Sequence, residues 1–478
     1  MAARALKSLL LAALAGVSGC TSDFANQAAL VDETFAVGDY AASLEAATAL
    51  AAEAQPNDAV IHKLKLASVQ RASDRPAEAA RTMEEAESLF SAYDAAPEVS
   101  LSAEGISAFS NPYALPYRGR AYDRTLAATY QALCLLQSGE GAKARVAMNR
   151  ALFRQEDARR LATEKARIAS EEGAAASVAD ARSSEAARND AVVAASAAAK
   201  ALIKDLPAYK DYVNPFTSWL HGAFFLHRAE GAGDVERARK SLELASVLAP
   251  GCSAVKADLA DAASGRAPSA PGETIVYVLH ESGRSPLWTE NKFTFPFILL
   301  DTSAPIVSVA LPELHPVPGQ AEITVSAGSV TQRGEEIVNV DALAAQEFND
   351  EYPIARNRAI GSAVVKGIAA YAANKAAQES ANRSGGLGGS FLSLATLVAT
   401  NVYTTQSAQA DLRNWSTLPK RITLARLVVP AGSEIGLCVD GASTVKQKLP
   451  DARAVILSCR TPAAGGPFSV QTTVLKSR

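Results

Sequence analysis

The spacing of apolar residues changes at one place in the chain, and this change limits the folds that the sequence can adopt. Before residues 264–272, Ala and Leu recur at the three- and four-residue spacing of helices. After them, short apolar runs have the length and composition of strands. The segment itself reads SGRAPSAPG, which is typical of a linker. The sequence therefore predicts an α+β protein, with an all-α region over 20–263, a linker over 264–272 and an α+β domain over 273–478.

The predicted strands of the α+β domain lie on both sides of a helical insertion. They cover residues 274–280, 292–300, 306–311, 321–326, 421–429, 434–440, 454–459 and 468–476. Residues 340–410 form the insertion. In it we expect one helix over 340–352, a second beginning at Pro353, and a flexible break at the SGGLGGS run, 384–390. The domain is thus predicted to be a β-rich platform that carries an inserted helical pair.

A short turn followed by an amphipathic helix recurs four times in the all-α region. The turns are at residues 38–40, 74–76, 139–141 and 233–235. Alanines follow three of them at positions where two helices would touch, namely Ala79 and Ala86, Ala144 and Ala151, Ala238 and Ala245. This pattern is typical of the tetratricopeptide repeat (TPR), a helical pair of 34 residues. Because the turns are unevenly spaced, we predict degenerate TPR-like units with insertions; generic helical hairpins with alanine at their contacts are the alternative.

The segment 142–204 is rich in Ala, Glu and Arg, and its apolar stripe is thin after Phe153. Charged residues four positions apart, such as Glu156 and Arg160, favour a helix in contact with solvent. Gly173 is predicted to interrupt it. Heptads are not sustained, which argues against a strong coiled coil. We therefore expect a helical hairpin that projects from the body.

The first 19 residues are predicted to be a signal peptide. Arg4 and Lys7 precede a short apolar run at 9–15 that is too short to cross a bilayer, and small residues lead to Cys20. The ending VSGC at 17–20 resembles the lipobox of bacterial lipoproteins, in which the cysteine is acylated, for example with palmitate, and begins the mature chain. Thr21 stands where an aspartate would favour the inner membrane, so we expect a lipid anchor at Cys20 in the outer membrane. An ordinary signal peptide with a chance cysteine is the alternative.

No motif in the sequence predicts catalysis, a cofactor or a metal site. The five histidines lack metal-ligand spacing and are expected at the surface or at helix caps: His62, His221, His227, His280 and His315. No serine elbow is present. Two Ser-x-x-Lys matches, at 253–256 and 443–446, lack companion motifs. A net charge of −3 argues against a nucleic-acid partner.

The cysteines of the last domain suggest a disulfide. Cys438 and Cys459 lie in two predicted strands joined by a polar connection, and such strands are commonly neighbours. The periplasm permits oxidation, and a bridge across this loop would stabilise the fold by about 3 kcal/mol. Two free thiols are the alternative. Cys134, on a packed helix face, and Cys252, beyond a helix end, are not expected to pair.

Four stretches of the chain resemble a single family. They cover residues 118–151, 212–251, 274–297 and 410–432, with YVNPF at 212–216 and RNWSTLP at 413–419 as the most specific parts. In this order they resemble an uncharacterised family of bacterial TPR-containing envelope lipoproteins. Members are often encoded beside two other lipoproteins, one of them similar to the curli-secretion lipoprotein of the outer membrane. The resemblance implies a shared envelope assembly and assigns no catalytic residue.

Together these features predict a membrane-anchored lipoprotein that acts as a non-catalytic protein-binding scaffold or assembly factor in the bacterial cell envelope. The concave face of stacked helices is suited to binding a peptide or a helix. The α+β domain would dock on that region or on a partner. The expected partners are other envelope proteins, possibly the co-encoded lipoproteins. A cell-wall enzyme with an unrecognised active site and a purely structural spacer are the alternatives.

Overall fold

The computed structural model describes residues 23–96, 112–179, 190–206, 209, 212–265, 268–296, 306–384 and 387–478. The predicted signal peptide and Cys20 lie outside these residues. Helices dominate the first part of the described chain and sheets the second, which confirms the α+β class. The helices before the linker are α1 (Asp23–Val37), α2 (Tyr40–Ala52), α3 (Ala59–Ala72), α4 (Pro76–Ala95), α5 (Ala121–Gln137), α6 (Gly141–Ala179), α7 (Asp190–Ala201), α8 (Pro215–His227), α9 (Ala232–Leu248) and α10 (Ser253–Ser264).

Three of the four predicted repeat turns have the same backbone geometry. Helices α1, α3 and α5 are each followed by a residue with positive φ, namely Gly38 (76°), Asp74 (58°) and Gly139 (77°). The N–H of that residue donates to the carbonyl three positions earlier, and the next N–H donates to the carbonyl five positions earlier. This is the Schellman motif, which satisfies the last carbonyls of a helix. The turn before α9 differs, because Gly231 is extended and Gly233 and Asp234 already lie in the helix.

Two larger sheets and a two-stranded ribbon make up the β part. The strands are β1 (Glu273–Ser282), β2 (Leu287–Pro296), β3 (Ile306–His315), β4 (Ile323–Ala327), β5 (Val330–Arg333), β6 (Glu335–Asn339), β7 (Arg421–Pro430), β8 (Glu434–Val439), β9 (Val445–Lys448), β10 (Ala452–Thr461) and β11 (Ser469–Ser477). One sheet has the order β11-β10-β1-β7-β6, the other β5-β4-β8-β9, and β2 pairs with β3. Strands β5, β6 and β9 were not predicted, because they are short and rich in polar residues.

The central strand β1 separates two cores. It is parallel to β10 and antiparallel to β7. Its residues Ile275, Tyr277 and Leu279 belong to a core shared with the helices, whereas Val276 and Val278 pack with the four-stranded sheet. The molecule therefore has three layers: helices, the five-stranded sheet and the four-stranded sheet. Because the first core contains residues from both sides of 264–272, the predicted boundary separates types of element but not independent cores.

The first long helix of the insertion does not end where the sequence predicts. Helix α11 (Val340–Ser384) continues through Pro353, where a new helix was expected, and α12 (Leu387–Gln406) follows it. Buried residues on both sides of the proline, Phe348 and Ile360, hold α11 to the body at this point. Residues 385 and 386, in the predicted break, lie outside the described residues.

The segment 142–204 also differs from the expected projecting hairpin. Helix α6 runs through Gly173 without interruption. Helix α7 packs into the main core through Val192, Ala195 and Ala199. The expected pair of Glu156 with Arg160 does not form: Glu156 binds Arg159, and Arg160 binds Asp157 at 2.6 Å.

Candidate functional site

The structure does not pair the two cysteines that were expected to form a disulfide. Cys438 and Cys459 are free thiols, and their strands are not neighbours: β8 pairs with β4 and β9, whereas β10 pairs with β1 and β11. Cys438 follows the buried Leu437, so strand alternation turns its side chain away from the core between the sheets, where Cys459 lies. The prediction that a polar connection joins neighbouring strands is wrong here, because the intervening residues include a further strand, β9.

Most of the histidines are interior residues, which corrects the expectation of surface or capping positions. Those that are buried are His62, His221, His227 and His280. The rings of three of them lie within hydrogen-bond distance of hydroxyls: His221 of Ser241 at 2.9 Å, His227 of Tyr277 at 2.9 Å, and His280 of Thr461 at 3.0 Å. Burial lowers the pKa of His221 to about 4 and that of His227 to about 3. These rings are therefore neutral structural groups at pH 7.

The RNWSTLP segment, residues 413–419, joins the β part to the first helices. The Arg413 guanidinium is 2% exposed and binds the carboxylates of Asp58, at 3.0 Å, and Asp411, at 2.7 Å. It also donates to the main-chain carbonyls of Asn57, Pro112 and Leu115. A single side chain thus satisfies acceptors from three separate parts of the chain.

The next residues of the same segment contact α1 and α3. The Trp415 indole N–H donates to Ser68 Oγ at 2.7 Å, and the Ser416 hydroxyl donates to Asp32 at 2.6 Å. Asp32 also accepts from the buried Lys65 at 2.8 Å. The segment is therefore held in place by charged and polar groups of the helical region, and its last three residues, Thr417–Pro419, line a pocket beside it.

That pocket lies where helices α1, α3 and α5 meet one edge of the five-stranded sheet. Its inner wall contains two arginines and one carboxylate, Arg71, Arg460 and Glu281, together with Thr417 and Ser458. Half-buried residues of α3 and β11 form the rim, namely Ala72, Ser469 and Gln471. The remaining lining includes the aromatic rings of Phe35 and Tyr130. We call this the junction pocket.

The two arginines of the junction pocket have different partners. Arg71 binds Glu281 through both guanidinium nitrogens, one of them at 2.9 Å, and this carboxylate raises the pKa of Arg71 despite its burial. Arg460 donates to main-chain carbonyls only, those of Glu281 at 3.0 Å and of Thr461 and Thr417 at 3.3 Å. Burial lowers the pKa of Arg460, and Arg71 adds to this effect, whereas the nearby Glu281 carboxylate opposes it. The pocket therefore has one positive charge more than its single carboxylate balances.

A second surface feature lies on helix α12. Leu394, Val398 and Val402 are 59%, 54% and 38% exposed, and their four-residue spacing places them on one helix face. We call these three residues the α12 stripe. The side of the helix away from this stripe is fixed to the body, since Thr400 donates to Asn374 of α11 at 3.1 Å and the buried Thr404 donates to the Ile306 carbonyl. The whole helix, LGGSFLSLATLVATNVYTTQ, contains no Asp, Glu, Lys, Arg or His.

Within the described residues, no group of His, Cys, Asp and Glu could hold a metal ion. No helix of the described part of the chain is long and apolar enough to cross a membrane. No protein-family model, curated protein or solved structure matches this chain.

No single sequence motif contains the residues of the junction pocket. Arg71, Tyr130, Glu281 and Arg460 come from four elements that are far apart in the sequence, so no local spacing connects them. One signal was present: Glu281 and Arg460 each directly follow an apolar run that was predicted to be a strand. A charged residue that continues a buried strand must have a compensating partner or a ligand.

Proposed function

We propose that this protein is a lipoprotein, anchored through Cys20 in the outer membrane, that acts as a non-catalytic binding scaffold for other proteins of the bacterial envelope. The helix pairs α1–α2, α3–α4, α5–α6 and α8–α9 would be degenerate TPR-like units of this scaffold. The repeated Schellman turns at Gly38, Asp74 and Gly139 support this assignment, because the same chain reversal recurs at three of the four predicted positions. The resemblance to TPR-containing lipoproteins points in the same direction.

The α12 stripe is the observation that carries the binding role. Three large aliphatic side chains in a row are exposed on a helix whose other face is fixed to the body. Contiguous exposed apolar surface of this kind is typical of an interaction site. Because α12 has no charged residue, the proposed partner presents an uncharged apolar surface, such as one face of an amphipathic helix.

A protein partner fits this stripe better than a lipid surface. Helices that lie on membranes combine an apolar face with Lys and Arg on the polar face, which attract anionic headgroups. In α12 the residues beside the stripe are uncharged, for example Asn401 and Thr405. The membrane contact of the protein is therefore assigned to the acyl chains on Cys20, and α12 to the partner.

The anchor is tested by replacing Cys20 with alanine. The wild-type chain should carry lipid by mass spectrometry and fractionate with the outer membrane, whereas Cys20→Ala should lack the lipid and lose membrane association. A wild-type chain without lipid, together with a variant that still fractionates with membranes, would show that the lipoprotein assignment is wrong.

The binding role is tested by cross-linking in intact cells and identification of the linked proteins. The variant Leu394→Gln/Val398→Gln should reduce the yield of a linked envelope protein at least tenfold. The control is Val247→Gln, which changes an even more exposed valine on α9. Equal yields from both variants and the wild type would contradict the proposal. A cross-link to a second copy of the chain would show that the stripe forms a dimer instead. Binding of the isolated protein to phosphatidylethanolamine–phosphatidylglycerol vesicles, if the double variant loses it, would show that the stripe binds a membrane instead.

A further inference from the structure

The junction pocket has features that the scaffold role does not require. It is separate from the α12 stripe, and it brings two arginines together in an interior position. Arg71 and its carboxylate Glu281 already form a complete bidentate pair. Arg460, which is 6% exposed, has no carboxylate within ion-pair distance among the described residues. A buried guanidinium without a counter-charge is unfavourable, and an anion in the pocket would remove that cost.

Two hydroxyls of the pocket also lack partners. Thr417 Oγ1 and Ser458 Oγ are buried, and neither makes a hydrogen bond with the described residues. They belong to the same wall as Arg460. A buried hydroxyl normally has a hydrogen-bond partner, and each of these can donate to an oxygen atom placed in the pocket. The charge of Arg460 and the two hydroxyls thus favour the same kind of ligand, an anion with oxygen acceptors.

The wall is held rigid before any ligand enters. The Arg460 guanidinium lies over the ring of Phe35, 5.4 Å from its centroid, and that of Arg71 lies over Tyr130 at 4.5 Å. The carbonyls of Glu281, Thr461 and Thr417 fix the remaining orientation of Arg460. Donors that are already oriented bind an anion without a large loss of conformational freedom.

We propose that the junction pocket binds a carboxylate group, with Arg460 as its counter-charge and Thr417 and Ser458 as hydrogen-bond donors. The excess of one positive charge matches a monoanion, whereas phosphate at neutral pH carries more charge than the pocket balances. The half-buried rim formed by Ala72, Ser469 and Gln471 is the side through which the group would enter. The carboxylate can belong to a small organic acid or to the C-terminus of a peptide, and both sources present the same chemistry.

The test uses the full mature protein in non-ionic detergent and measures ligand binding by isothermal titration calorimetry and by the shift in melting temperature. Acetate should bind saturably, whereas acetamide, its neutral analogue, should not. Trialanine with a free C-terminus should bind more tightly than its amidated form if the natural source is a chain terminus. Binding of acetate without this difference assigns a small acid, which supports the same chemistry.

Variants of the two hydroxyls avoid the risk that a change of Arg460 prevents folding. Thr417→Val/Ser458→Ala should weaken acetate binding at least tenfold. The control Thr473→Val removes a buried hydroxyl that also lacks a partner but lies outside the pocket lining, and should leave the affinity unchanged. Equal affinity in the double variant and the wild type would overturn the proposal. So would equal effects of acetate and acetamide, or binding of inorganic phosphate in preference to acetate. None of these results depends on whether the α12 stripe binds a partner.

Discussion

At the scale of single residues, the buried ionisable groups of this protein are mostly neutral or paired. The sequence does not reveal this, because nothing in the neighbours of His227 or His280 distinguishes an interior position from a surface one. Their environment comes from Tyr277 and Thr461, which are at least 50 residues away. Burial of histidine is therefore a property of the tertiary structure, with consequences that can be measured.

Acidification should destabilise the fold because of the buried histidines. Burial lowers the pKa values of His62 and His221 to about 4 and those of His227 and His280 to about 3, from the usual 6.5. The unfolded chain thus binds four protons below pH 6.5 that the folded chain does not bind until the pH reaches 4 to 3. The stabilisation is present above pH 6.5 and is lost as the pH falls through this range.

Two buried carboxyls oppose this effect. Burial raises the pKa values of Asp123 and Asp258 to about 6, so the folded chain binds two protons that the unfolded chain binds only near pH 4. For these six groups the difference near pH 5 is about two protons, which lowers the free energy of unfolding by about 3 kcal/mol per pH unit there. Urea unfolding between pH 7 and pH 5 measures this slope. His280→Gln should reduce it, and a slope of zero or of opposite sign would contradict the prediction.

At the scale of elements, the turns between helices were predicted well because their chemistry is local. Glycine or aspartate after the last helical turn supplies the left-handed residue that a Schellman motif needs. The start of α8 is similar, since Asn214 caps it and Pro215 occupies its first position. By contrast, the helix boundary predicted at Pro353 is wrong. The effect of this proline on α11 depends on tertiary packing, which the neighbouring residues do not reveal.

The turns at Gly38 and Gly139 provide a matched pair of substitutions. Both glycines have φ near 76°, so alanine costs about 1 kcal/mol at either position. A Cβ at Gly139 meets open space, whereas at Gly38 it would overlap with Pro467 Cγ. Gly38→Ala should therefore lower the melting temperature clearly more than Gly139→Ala. Equal shifts in thermal unfolding would mean that the turn after α1 does not contact the segment around Pro467.

The contact between α8 and α9 tests the predicted role of small residues. Ala238 and Ala245 are fully buried, and a Cβ at Gly222 would lie 3.2 Å from the Ala238 carbonyl oxygen. Ala238→Leu should overpack this contact and lower the free energy of unfolding by about 1–3 kcal/mol, measured in urea. Val247→Leu, at an exposed position of the same helix, is the control. An unchanged stability of Ala238→Leu would place this alanine outside the interface.

At the scale of the whole molecule, the sequence indicated the α+β class but not the continuity of the core. The change of periodicity at 264–272 predicts a boundary between domains. Across it, however, Asp258 of α10 accepts hydrogen bonds from Tyr277 of β1, at 2.6 Å, and from Trp219 of α8, at 2.8 Å, and Arg426 of β7 lies 2.9 Å away. Such contacts follow from three-dimensional packing, which a scan of local patterns does not detect.

The shared core predicts that helices and sheet unfold together. Asp258→Ala leaves the buried Tyr277 hydroxyl and Trp219 indole without their acceptor and Arg426 with only the half-buried Asp261 as ionic partner, and should cost about 3 kcal/mol. Hydrogen exchange should show the loss of protection both in α8 and in β10. Glu379→Ala, which breaks an exposed pair with Arg383, should have little effect on either. Loss of protection confined to the helices would show that the two parts unfold independently.

If Cys20 is acylated as proposed, the position of α1 also limits how far the protein can extend from the bilayer. Only residues 21 and 22 separate the proposed acylation site, Cys20, from the start of α1 at Asp23. The distance from the Cα atom of residue 20 to that of residue 23 comprises three residue steps and is at most about 10 Å. Since Asp32 in the same helix is held by Lys65 and Ser416, the first helix cannot unwind cheaply to lengthen this tether. With an acylated Cys20, the folded part of the protein would remain at the membrane surface. A partner would therefore have to come to the membrane surface in order to bind.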